Sequence, residues 1–206
     1  MLRREGYSGR ITMLSADASI PCDRPNLSKG YLAGTAPASS NSLRSLEFYR
    51  QQHIDLKLNA RVARIDAATR EVILADGSRH AYDALLLATG AEPVRLDIPG
   101  SDLPHVHYLR TLADGEALVS KALVSQHAVV IGASFIGLEV AASLRARNID
   151  VHVVAPDAVP PDAPACSCCM LPAASAVESG VLGASTAGKS PCIAAASGSL
   201  PRFSPF

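Results

Sequence analysis

Two apolar runs rise out of a mostly alternating chain: DALLLATG at 83–90 and AVVIG at 128–132, each ending on glycine. Runs of this kind, without alternation, predict strands buried on both faces of a parallel sheet. Shorter alternating segments surround them. RITMLS (10–15), RVARID (61–66) and EVILA (71–75) predict strands, with Asp76-Gly77 as a hairpin turn and a third strand before Asp83. Helical spacing appears in LRSLEFYRQQH (43–53), LADGEALVSKALVS (112–125) and FIGLEVAASLRARN (135–148). DRPNLSKGYLAG (23–34) opens on an Asp-Arg-Pro turn and predicts a short helix. Residues 1–9 read as a helix end stopped by Gly6 and Gly9, and 94–110, with Pro99-Gly100 and Pro104, as a connector. AVVIG, the helix after it and DVHVVAP (150–156) form a strand–helix–strand unit, so the fold class is α/β with a parallel sheet.

Past residue 157 the pattern stops. Asp162, Glu178, Lys189 and Arg202 are the charged residues of a stretch rich in Ala, Ser, Gly and Pro, and it holds Cys166, Cys168, Cys169 and Cys192. Residues 158–206 are expected to be an irregular, disordered tail. Charge narrows the function classes: 19 basic residues balance 19 acidic ones, giving no electrostatic ground for nucleic acid or an anionic membrane. No apolar run reaches the roughly 18 residues that would cross a bilayer. The opening MLRREGYSGR lacks the apolar centre of a secretory signal, so a cytoplasmic location is expected.

The candidate chemistry sits in Gly132-Ala-Ser-Phe-Ile-Gly137, between a predicted strand and a predicted helix. In a dinucleotide-binding turn the first glycine makes the tight turn, the second admits a diphosphate and the third lets helix and strand pack closely. Gly132 and Gly137 hold the outer places, and Ser134 holds the middle one, where its side chain crowds the phosphate. The helix from Phe135 and Ile136 aims its first amides at that phosphate. Asp157 follows Gly132 near the interval of about 20 residues at which an acid meets the ribose. No Arg or Lys lies beside it to meet a 2′-phosphate, which favours NAD over NADP. Glu139 reads either as a first-turn capping charge or as a contact to the nicotinamide end. A βαβ unit that packs tightly without ligand is the alternative for the whole turn.

DRPNLSKGYL, DALLLATGAEP and VVIGASFIGLEVA, in this order, resemble the flavoprotein reductases of the ferredoxin-reductase and apoptosis-inducing-factor type, within the pyridine nucleotide–disulfide oxidoreductases. The resemblance covers residues 1–157. It implies a partial FAD-binding domain over 1–111, an inserted Rossmann-like NAD-binding unit over 112–157, and the tail over 158–206. It implies FAD contacts at Arg24 and Lys29, two cations suited to a diphosphate; a solvated helix start is the alternative for both. Asp17 falls near the family's ribose-binding acid, Val62 at a backbone contact to adenine, and Ala88-Thr89-Gly90 where small residues let the cofactor approach. As plain strand residues, Val62 and the 88–90 turn have ordinary readings too.

The activity implied is hydride transfer from NADH to FAD, then electrons to an iron–sulfur partner of ferredoxin or Rieske type. No acid–base residue is assigned. A disulfide reductase needs a Cys-x4-Cys pair, and Cys22 alone lies in residues 1–157. The resemblance also implies a first, FAD-gripping glycine turn upstream of residue 1. The chain is accordingly expected to be a gene fragment, begun at an internal Met and shifted in frame near 157–165. A non-catalytic NAD-binding module and an inert remnant are the rival readings. GASTAGKS (183–190) matches a phosphate-loop pattern but has Pro191 where a helix must start. Neither Cys166-Ser-Cys168-Cys169 nor His105 with His107 has the partners of a metal site, and none is expected.

Overall fold

The computed structural model describes residues 1–155 and the backbone of Cys192–Ala195. Asp157, the cysteines at 166–169 and the phosphate-loop look-alike at 183–190 lie outside the described residues, as does most of the predicted tail. The chain divides into two compact units that interleave in sequence. Unit 1 is Met1–Asp23 with Ser39–Ala91, and unit 2 is Arg24–Ala38 with Glu92–Phe206.

In unit 1 the strands β1 (Ile11–Leu14) and β2 (Ile54–Lys57) pair in parallel, Ile11 opposite Ile54. Helix α3 (Leu46–Gln51) leads into β2 and is capped by Ser45, whose hydroxyl accepts from the Phe48 amide. A separate antiparallel meander follows: β3 (Val62–Asp66), β4 (Glu71–Leu74) and β5 (Arg79–Ala81). The Asp76-Gly77 turn forms where the sequence placed it, Gly77 taking φ +84° and Ser78 donating from its amide and hydroxyl to Asp76. Ala60, Val72 and Leu74 form this unit's buried cluster, with Leu14 and Tyr82 against it. Residues 1–9 make hydrogen-bonded turns rather than a helix end. Arg3 ties them down by donating to the carbonyls of Tyr7, Gly9, Gln52 and His53.

Unit 2 carries helices α1 (Arg24–Leu27), α2 (Gly30–Ala33), α4 (Leu112–Ala122) and α5 (Phe135–Arg145). Its strands β6 (Val106–Tyr108), β9 (Cys192–Ala195), β7 (His127–Ile131) and β8 (Asp150–Val154) lie in that order, every neighbouring pair parallel. The sequence reading placed no strand at β2, β6 or β9. A four-residue strand within an Ala- and Ser-rich stretch carries no period to detect. Helix α4 starts in a reciprocal cap: Thr111 accepts from the Asp114 amide and Asp114 accepts from the Thr111 amide. The core gathers Leu32, Leu118, Ala122, Ala128, Val130, Val140, Ala141, Leu144 and Ile149, so α2, α4, α5 and β7 share one apolar interior.

One expectation fails. DALLLATG does not form a buried strand: residues 85–97 belong to no helix or strand, and Leu86 and Leu87 are 87% and 64% exposed. A strand is buried through neighbours on its flanks and layers on its faces, and no described strand pairs with this run.

Candidate functional site

The turn from β7 into α5 is built as its sequence demands. Gly132 holds φ +108°, a conformation that side chains resist. Its amide donates to the Val154 carbonyl at 2.8 Å, fastening the turn to the end of β8. A Cβ on Gly137 would lie 2.0 Å from the Gly132 carbonyl oxygen, so the third glycine is a steric requirement here. Ser134 occupies the N-cap with extended backbone, φ −72° and ψ 173°, yet its side chain makes no capping bond. No described side chain therefore accepts from the first amides of α5. Phe135 and Ile136 are exposed beside them. An 11-residue helix with uncapped amides at its start concentrates positive potential there, and a diphosphate matches it.

Glu139 corrects the sequence reading. It lies in the second turn of α5, past the reach of a capping charge, and no acid occupies the first turn. Its carboxylate accepts from Ser28 Oγ at 2.6 Å and pairs with Lys29 Nζ at 3.4 Å. One helical turn on, the buried Ser143 hydroxyl donates to the Ser28 carbonyl at 2.6 Å, with the Lys29 carbonyl 3.2 Å away. Just beyond the helix, Arg147 Nε donates to the Leu32 carbonyl. Positions 139, 143 and 147 thus form a polar stripe along α5 that grips residues 28–32. This stripe holds Lys29 in place, with its side chain about half exposed. Ser28, Ser143 and Arg147 were missed by the sequence reading. The signal was available: polar residues four apart in an otherwise apolar helix.

Within unit 1 the expected residues assemble only in part. The Asn59 amide donates to the Asp17 carbonyl and the Ala60 amide to the Ser15 carbonyl, at 3.0 and 2.8 Å, so the Asp17 backbone lies against the approach to Val62. Val62 begins β3 at an irregular step in register and is 41% exposed. Ala88, Thr89 and Gly90 lie exposed in the extended run, Gly90 with φ +70°. A shallow groove of about 420 Å³ opens between Lys57–Ala60 and the Asp76–His80 turn, with Leu74 in its wall, and is lined by none of the expected residues. His107 in β6 is half-buried. Burial, aided by Lys121 and His105, pushes its pKa below the ordinary value of 6.5. Cys22 is half-buried. Among the described residues no group of three His, Cys, Asp or Glu could hold a metal, and no helix is long and apolar enough to cross a membrane.

Fold and turn together define the class: an α/β protein whose parallel-sheet unit carries a glycine turn between strand and helix. Residues 1–161 match the family model described as pyridine nucleotide-disulphide oxidoreductase. The chain belongs to that family. It is similar to rhodocoxin reductase of Rhodococcus erythropolis, 44% identical over 153 residues that cover 74% of this chain and 36% of the relative. It is 43% identical over 152 residues to the ferredoxin–NAD(+) reductase component of the biphenyl dioxygenase system of Paraburkholderia xenovorans, with the same shares covered. Among solved structures, the covalent putidaredoxin reductase–putidaredoxin complex matches with TM-score 0.74 and 37% identity, over 78% of this chain and 39% of that one. The chain spans little more than a third of the length of the curated relatives it matches.

Proposed function

We propose that the chain serves a flavin-dependent NADH oxidoreductase that passes electrons through FAD to an iron–sulfur protein. The observation that carries this is the Gly132–Gly137 turn, whose uncapped amides and glycine-only contact fit a dinucleotide diphosphate. The ferredoxin reductase component and the putidaredoxin reductase complex among its relatives support the electron-transfer direction. In this reading residues 112–157 supply the NAD-binding part, with Gly132, Ser134, Phe135, Ile136 and Gly137 at the diphosphate and Asp157 at the ribose. Residues 1–111 supply the FAD-binding part, with Asp17, Arg24, Lys29, Val62, Ala88, Thr89 and Gly90 as its contacts. Glu139 acts on the nicotinamide side by fixing Lys29.

Bound FAD would supply the redox chemistry, linking a two-electron donor to a one-electron acceptor. The chain's own residues bind and orient: the turn fixes the dinucleotide, and the α5 stripe holds the Lys29 ammonium. The reading places the chain in the cytoplasm, where NADH is turned over.

A second reading, a non-catalytic NAD-binding module, draws support from Ala88–Gly90, which stand exposed and outside any sheet. Titrating the purified chain with NADH, and recording its visible spectrum with and without added FAD, separates the two. The oxidoreductase reading expects NADH binding and a bound flavin bleached by NADH. NADH binding with flavin left free in solution selects the module, and no NADH binding contradicts both.

A further inference from the structure

Among the described residues three helices begin on Ser or Thr with extended backbone, and they treat the hydroxyl differently. Ser45 accepts from the Phe48 amide at 3.3 Å and Thr111 from the Asp114 amide at 3.2 Å. Ser134 has the same backbone disposition, φ −72° and ψ 173° against −71° and 159° at Ser45, yet its Oγ bonds to nothing among the described residues. That atom is also shut off from solvent. A buried hydroxyl without a partner costs on the order of 1–3 kcal/mol, and the N-terminal amides of α5 that could relieve it are left bare. The side chain rests where it satisfies nothing.

We infer that the Ser134 hydroxyl is a hydrogen-bond donor to a diphosphate oxygen of the bound dinucleotide, so that serine in the middle place of the turn strengthens binding instead of obstructing it. This rests on the dinucleotide reading of the turn. The hydroxyl gives up no existing bond when it rotates about χ1 towards the ligand, and rotation about one side-chain bond is a small motion. A diphosphate oxygen accepts from it as a charged acceptor, and the bare amides of Phe135 and Ile136 accompany it. The glycine usual at this place gives room and no donor; serine gives a donor, and its room is made by the outward rotation. The ligand class is therefore a nucleoside diphosphate, free or within NADH.

The test compares wild type, Ser134→Ala and Ser134→Gly by titration with NADH, followed by nicotinamide fluorescence, and with ADP, followed by calorimetry. Thermal melts are recorded alongside. The inference expects both variants to bind NADH and ADP about 10-fold more weakly, the loss that goes with one bond to a charged group. It also expects Ser134→Ala to melt no lower than wild type, since the hydroxyl caps nothing. Binding by Ser134→Ala equal to wild type, or tighter binding by Ser134→Gly, overturns it. So does a fall in Ser134→Ala stability of about 1 kcal/mol, the signature of a lost cap. Wild type that binds neither ligand overturns the dinucleotide reading as well, which distinguishes the two failures.

Discussion

HAVVIGASFIG and DALLLATGAEP carry the same message in sequence, an apolar run closing on a small-residue turn, and the fold treats them in opposite ways. The first becomes β7, held between β9 and β8, with Ala128 and Val130 at 1% and 0% exposure. The second pairs with no described strand, and its Leu86 is 87% exposed. Burial is thus conferred by the strands and helices around a run, not by its composition. The glycine turns differ likewise. Gly132 is tied to Val154 and packed on Gly137, while Gly90 bends an open segment.

The largest contrast is expected from one substitution placed in β7. Val130→Asp puts a carboxylate into the closed interior of unit 2, which an unpaired charge does not tolerate. Circular dichroism should show that unit unfolded. Gly137→Ala comes next: a Cβ 2.0 Å from the Gly132 oxygen forces the turn apart, at about 3 kcal/mol. Its NADH affinity should fall by about 100-fold in a fluorescence titration. Ser143→Ala leaves the Ser28 carbonyl short of a donor and should lower the unit's stability by about 1–2 kcal/mol by denaturant unfolding.

Acid supplies a milder probe. His107 is held below its ordinary value of 6.5 chiefly by burial, so the fold favours the neutral imidazole. The unfolded chain then binds the extra proton more readily. The stability this confers is complete above about pH 6.5 and is lost as pH falls through the lower folded value. His107→Gln should flatten that part of a stability–pH curve. The smallest effect is expected where the sequence promised the largest: Leu86→Asp should change stability by no more than about 0.5 kcal/mol, since its side chain leaves no interior. A large loss of stability in Leu86→Asp would show the run to be packed and would erase the contrast with β7.

Much of unit 2 was legible because its signals are local. The spacing of Gly132 and Gly137, the apolar periods of α4 and α5 and the β-branched runs of β7 and β8 act over a few residues. What was not legible depends on distant partners. The Ser143 hydroxyl finds Ser28 and Glu139 finds Lys29, each across more than a hundred residues, so Glu139 passed for a first-turn charge when α5 in fact begins four residues before it. β6 and β9 are short strands whose existence is decided by the sheet they join. The exposed run at 85–87 shows the converse, a strong local pattern with no sheet to join.

The start of α5 is probed residue by residue by amide NMR of the isotopically labelled chain during NADH titration. The account predicts saturable shifts centred on Gly132, Phe135, Ile136 and Gly137. NADH that leaves those amides where they are, or that moves resonances elsewhere alone, would contradict it.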